Sequence, residues 1–106
     1  MKIINENIDK ITELCQQHNV SQLYVFGSIL TPNFSSTSDI DLIVKIEGAD
    51  PIQYTEDYFN LKYGLENLLK RSIDLLEDKS ISNQTFKNYI DSQKIKLYDR
   101  QSESVA

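Results

Sequence analysis

Residues 39–46 read DIDLIVKI, and this octapeptide restricts the fold more than any other stretch of the chain. Its side chains alternate. On a strand, Ile40, Leu42, Val44 and Ile46 fall on one face, and Asp39, Asp41, Ile43 and Lys45 on the other. A wholly apolar face needs a packed layer against it, so the segment predicts a sheet strand with helices laid over it. The opposite face opens on two aspartates. Packing gives no reason to set two like charges at the mouth of a buried strand, so a chemical reason is called for.

The flanking segments supply the rest of the sheet and its cover. "QLYVF", residues 22–26, is rich in β-formers and stops at Gly27, which predicts a second strand. Residues 28–38 are turn-like, with Pro32, Asn33 and a run of serines and threonines before Asp39; a short helical turn is expected after Ser28. "SIDLLE", residues 72–77, predicts a third strand, and "KIKLYD", residues 94–99, an edge strand. Helices are predicted over 4–18, where Ile4, Ile8, Ile11 and Cys15 recur at helical spacing, and over 82–91, around Phe86, Tyr89 and Ile90. The longest helix is predicted over 53–70, where Tyr54, Tyr58, Leu61, Leu65, Leu68 and Leu69 make one apolar stripe.

This order gives an α/β (α+β) fold: a small mixed sheet with helices packed on it. Residues 1–99 are expected to form one domain and residues 100–106 a flexible C-terminal tail. A length of 106 residues suffices for one core. The net charge of −5 argues against a surface built for nucleic-acid phosphates, so no direct nucleic-acid contact is expected. No apolar run reaches membrane-spanning length, and the N-terminal segment carries acids inside its apolar pattern, unlike a signal peptide. The single Cys15 excludes an internal disulfide, and a cytoplasmic location is the expectation. Cys15 and the tyrosines of the longest helix read as core packing, and His18 as a helix-end residue without a catalytic role.

Asp39 and Asp41 stand two residues apart on a strand, about 6.6 Å along the chain, and point the same way. If the strands at 22–26 and 39–46 pair antiparallel, Gly27, Ser28 and both aspartates meet at one end of the sheet. Asp74, between Ile73 and Leu75, is the third member. Three carboxylates in one place need protonation or a cation. All-oxygen ligation with no His or Cys nearby in sequence selects Mg²⁺ or a similar hard ion. Two such ions about 3.5–4 Å apart can share Asp39 and Asp41. Gly27 would let a phosphate approach the backbone, and Ser28 would hold it. The chemistry that follows is phosphoryl or nucleotidyl transfer, with Asp74 as a further metal ligand and acceptor of the attacking hydroxyl's proton. Taken singly, D-x-D pairs cap turns and a lone strand aspartate discourages edge pairing; the combination carries the reading.

Gly27-Ser28, ten residues, then Asp39-Ile40-Asp41 resembles the G-S-x10-D-x-D motif of the minimal nucleotidyltransferases (MNT), within the DNA polymerase β-like nucleotidyltransferase superfamily. Asp74 in "RSIDLLED" matches that family's third carboxylate, and the resemblance covers about residues 3–99. It implies the polymerase β-like fold, ATP as nucleotide donor and Mg²⁺, two ions, as cofactor. It also implies a toxin–antitoxin pair: a HEPN-domain toxin as partner in a hetero-oligomer, and this chain as the antitoxin that transfers AMP to a tyrosine hydroxyl of the toxin. On this analogy Asp39 and Asp41 ligate the metal ions, Asp74 serves the attacking tyrosine, and Gly27 and Ser28 hold the triphosphate. Many relatives carry Arg-Gly where this chain has Thr31-Pro32; Lys45, Lys62 or Arg71 are the bases that could stand in. The alternative is an antitoxin that neutralises its partner by binding alone.

Overall fold

Four strands form one sheet in the order β3–β2–β1–β4 in the computed structural model, which describes residues 1–101. They are β1 (Val20–Phe26), β2 (Ile40–Ile46), β3 (Ile73–Glu77) and β4 (Ile95–Asp99). β1 runs antiparallel to β2 and to β4, and β2 runs parallel to β3. The sheet is therefore mixed, with β4 at an edge, as the sequence leads one to expect. The helices are α1 (Lys2–Glu6), α2 (Ile8–Gln17), α3 (Pro51–Leu69) and α4 (Gln84–Gln93). A 3-10 turn over Gly27–Leu30 follows β1 directly, where a helical turn is expected. Of the tail expected over 100–106, residues 102–106 lie outside the described residues. Among the described residues no helix is long and apolar enough to cross a membrane.

The helix predicted over 4–18 is two helices. Asn7, at φ −117° and ψ 11°, interrupts it, and its side-chain amide donates to the Ile3 carbonyl at 2.8 Å. Asparagine offers the backbone a competing partner in this way. Ile4, Ile11 and Cys15 are nevertheless all buried. Helix α3 starts earlier than predicted, at Pro51, because Asp50 caps it: the Asp50 carboxylate accepts the Ile52 N–H at 3.0 Å. Proline in the first turn forfeits no helical hydrogen bond. Helix α4 is capped by Asn83, whose side chain accepts the Phe86 N–H at 2.9 Å.

One sheet face carries Leu23, Val25, Ile40, Leu42, Val44, Ile73 and Leu75, under a cover from α1, α2 and α3 that includes Ile4, Ile11, Leu61 and Leu65. Each such side chain, fully buried, stabilises the fold by about 1.5–3 kcal/mol. The other face has a smaller cluster of Phe26, Ile43 and Ile90, with Leu76 beside it. Helix α4 supplies Ile90 and so covers only part of that face.

Two further details hold the helical layer in place. Asp57 is 3% exposed and accepts from Asn19 Nδ2 at 2.9 Å and Gln53 Nε2 at 3.1 Å. Asn19 sits at φ 58° in the turn between α2 and β1, and its carbonyl accepts the Glu47 N–H at 2.9 Å. Tyr54 and Tyr58 pack against the main core as expected, with hydroxyls donating to the Glu77 carboxylate at 2.8 Å and the Leu75 carbonyl at 2.7 Å.

Candidate active site

The sheet brings the sequence-predicted residues to one end. Phe26, the last residue of β1, pairs with Asp41 across the antiparallel ladder, so the Gly27-Ser28 turn begins beside the start of β2. Asp41 pairs with Asp74 across the parallel ladder. Asp39 stands just before β2. By the alternation of β2 and β3, Asp41 and Asp74 share the face of Ile43 and Leu76. Cover from α4 reaches Ile43 but leaves the carboxylate end open: Asp39 and Asp74 are exposed and Asp41 is half-buried. Asp74 is the second residue of its strand rather than a mid-strand charge.

Asp41 has a made seat. Gly27 has φ +83°, and a β-carbon there would collide with Asp41 Oδ2 and stand 3.1 Å from its Cγ. The Ser28 backbone N–H lies near enough to the Asp41 carboxylate to favour its charged form. Gly27 is thus required by Asp41 itself, not only by an approaching phosphate. Burial raises the Asp41 carboxyl above its ordinary value, and the charges of Asp74 and then Asp39 raise it further; the Ser28 N–H offsets part of this. Among the described residues no basic side chain forms an ion pair with Asp39, Asp41 or Asp74.

That surplus is the test of fit for a cation. Among the described residues no three His, Cys, Asp or Glu side chains are gathered into a ready-made metal cage. The donors at this sheet end are nevertheless all hard oxygens, two of them exposed, around a carboxylate destabilised by like charge. This donor set suits a hard divalent ion that keeps part of its water and takes the rest of its ligands from a phosphate.

The basic residues that could replace the missing arginine are mostly engaged elsewhere. Arg71 Nη1 donates to the Ser38 carbonyl at 2.7 Å, and its Cζ lies 4.6 Å from the Phe34 ring centroid. Lys45 stands 3.9 Å from Asp78. Lys62 is on α3, half-buried. Thr31, though exposed, bonds within its own turn: its N–H and hydroxyl both donate to the Ser28 carbonyl, at 2.9 and 2.8 Å. The link between Arg71 and the loop ahead of Asp39 has no periodic signal in the sequence; position alone, just before the strand that pairs with β2, hints at it.

Comparison with known proteins bears on the family and the fold. A family model described as polymerase beta, nucleotidyltransferase matches residues 9–103. A protein of Methanocaldococcus jannaschii that bears the name protein adenylyltransferase is 37% identical over 79 residues, 74% of this chain and 81% of that protein. A crystal structure of a toxin-antitoxin with AMP-PNP superposes with a TM-score of 0.66 at 26% identity, covering 92% of this chain and 77% of that one. A minimal nucleotidyltransferase structure superposes with a TM-score of 0.73 at 23% identity, covering 89% and 92% of the two chains. A structure of tri-AMPylated Shewanella oneidensis HEPN toxin in complex with MNT antitoxin gives 0.61 at 24% identity, covering 94% and 76%. The last two likenesses speak for the fold alone.

Proposed function

This chain belongs to the polymerase β nucleotidyltransferase family, and from that premise we propose that it transfers AMP from ATP to a tyrosine hydroxyl of a HEPN-type toxin, as the antitoxin of the pair. The observation that carries the reading is the pairing of Asp41 with Asp74 across β2 and β3, beside Asp39 and the Gly27-Ser28 turn. The toxin-antitoxin structure with AMP-PNP and the adenylyltransferase relative support the nucleotide and the reaction. The same toxin-antitoxin structure supports a toxin as the partner.

Asp39, Asp41 and Asp74 would hold Mg²⁺, which when bound supplies charge neutralisation for the triphosphate and a lowered pKa for the acceptor hydroxyl. Gly27 leaves room for the Asp41 carboxylate at the sheet end, and the nearby Ser28 N–H favours its charged form. The Ser28 hydroxyl, in the same turn, would hold a phosphate oxygen. Asp74 is open to solvent and to a partner, and it accepts the tyrosine proton. The tyrosine oxygen bonds to the α-phosphorus as the bond to the bridging oxygen breaks, and pyrophosphate leaves. An open sheet end of this kind admits a protein side chain; the partner then supplies the wall that excludes water.

The test is transfer of label from α-labelled ATP to the co-expressed HEPN partner. Label is expected with wild-type chain, absent with Asp41→Asn, and absent from γ-labelled ATP. Label from γ-labelled ATP would mean phosphoryl transfer and would remove the proposal. The second reading, neutralisation by binding alone, draws on Thr31, whose side chain closes its own turn where relatives place an arginine. It is favoured if the partner co-purifies, is silenced, and takes up no label.

A further inference from the structure

Asp39 lies outside β2, at the end of the loop over 31–38. Its two sequence neighbours are both pinned, and by adjacent residues. Arg71 donates to the Ser38 carbonyl at 2.7 Å, and the Ser72 carbonyl accepts the Ile40 N–H at 3.0 Å. The guanidinium is fixed in turn, its Cζ over the ring of Phe34, which packs against the main core. Within the loop, Ser35 N–H donates to Ser38 Oγ at 3.0 Å and Ser38 N–H to the Ser35 carbonyl at 3.2 Å. The backbone that presents Arg71 is set by Lys70, left-handed at φ 56°, and by Glu66, whose carboxylate accepts the Ile73 N–H at 3.0 Å. Two residues after Ser72 comes Asp74. One short segment, 70–74, therefore carries one carboxylate of the site and clamps another.

We propose that Arg71 is a positioning residue for nucleotidyl transfer: through Ser38 it sets where Asp39 stands relative to Asp41 and Asp74. Its target is the affinity of the three carboxylates for a divalent cation, so the inference rests on the metal reading of the site. A phosphate contact is the other use of an arginine here. The engagement of Nη1 with Ser38 and of the guanidinium face with Phe34 argues against it.

The first readout needs no metal. In the full chain, Arg71→Ala should raise amide hydrogen exchange over 34–41, Ile40 included, while the β1–β4 pairing stays protected. The second is Mn²⁺ binding followed by electron paramagnetic resonance, which should weaken about 10–100-fold, as when a residue that orients a metal ligand is lost. Arg71→Lys keeps the charge but loses the planar face, and should fall between wild type and alanine on both readouts. ATP binding in EDTA should be the same in all three proteins.

Wild-type exchange over 34–41 in Arg71→Ala, or unchanged Mn²⁺ affinity, overturns the proposal. So does weakened ATP binding in EDTA, which would make Arg71 a phosphate contact. Should the alanine variant fail to fold, Arg71→Lys against wild type decides on the same readouts. A wild-type chain that bound no Mn²⁺ while Arg71→Lys still loosened the loop would strike the metal reading and leave the clamp on Asp39 standing.

Discussion

The α-carbon of Gly27 lies against the carboxylate of Asp41, with no room between them for a methyl group. The Gly-Ser turn and the D-x-D strand, separated in sequence by ten residues, are therefore one structural unit. Gly27 leaves space for the Asp41 carboxylate, and the nearby Ser28 N–H favours its charged form.

Gly27→Ala should accordingly damage fold and site together. Alanine at φ +83° is strained, and its methyl would push Asp41 aside. A stability loss of about 1–3 kcal/mol is expected, measured by urea denaturation. AMP transfer should fall with it, even at temperatures where the variant is fully folded. A variant of unchanged stability would show that the turn relaxes freely, and the coupling of Gly27 to Asp41 would be lost as an explanation.

Asp41 supplies a pH test. Burial and the charges of Asp74 and Asp39 raise its folded-state pKa above the ordinary 3.8. The folded chain then binds that proton more tightly than the unfolded chain does. Stability falls as pH rises from the unfolded value through the folded one, and the penalty persists at neutral pH. Asp41→Asn, which retains an acceptor for the Ser28 N–H, should therefore unfold at a higher temperature than wild type at pH 7 in EDTA. The gain should disappear toward about pH 3, where the native carboxyl is protonated in both states. Mg²⁺ should raise the wild-type unfolding temperature and barely move the variant's. Calorimetry in EDTA and in Mg²⁺ separates these outcomes. A variant less stable than wild type at pH 7 would mean that the carboxylate's hydrogen bond outweighs its repulsion.

The placement of Asp41 and Asp74 is legible in the sequence because each stands between apolar neighbours, and alternation fixes the face of a strand; Asp39, between Ser38 and Ile40, is legible only as the residue that precedes β2. Strand order then follows from few choices: residues 27–39, without a long helix, join β1 to β2, and a long helix joins β2 and β3. What the sequence hides is set by meetings across distance. Gly27 reads as a phosphate cradle, and only the β1–β2 register shows that Asp41 needs it as well. The break at Asn7 comes from one side-chain hydrogen bond inside a run with unbroken helical spacing. The alternation and stripe patterns say nothing of Asp57 on α3, which is buried and bonded to Asn19, 38 residues away.

Asp57 can be tested by itself. Asp57→Ala leaves Asn19 Nδ2 and Gln53 Nε2 without their shared acceptor. An unmade hydrogen bond in a buried setting costs about 1–3 kcal/mol. The midpoint of urea unfolding should drop accordingly, while metal affinity at the opposite end of the sheet stays at the wild-type value. Loss of metal affinity in a fully folded Asp57→Ala would show that the α2–β1 turn and the carboxylate end are coupled.

Thr31 tests how much the departure from the Arg-Gly pattern matters. Its hydroxyl closes the turn onto the Ser28 carbonyl at 2.8 Å, and its backbone N–H does the same at 2.9 Å. Thr31→Arg removes the first bond and keeps the second, so the turn should survive with a stability loss of about 1 kcal/mol. The new guanidinium would stand in the turn where the proposed triphosphate meets Ser28. A charged hydrogen bond contributes about 1.5–3 kcal/mol, and each 1.4 kcal/mol is about tenfold in affinity. Thr31→Arg should therefore lower the KM for ATP about tenfold with kcat little changed. An unchanged KM would mean that position 31 does not reach the nucleotide, and Thr31-Pro32 would carry no weight against catalysis. Transfer that appears only in the arginine variant would instead make the natural chain an antitoxin that works by binding, with a metal site intact enough for one side chain to restore the chemistry.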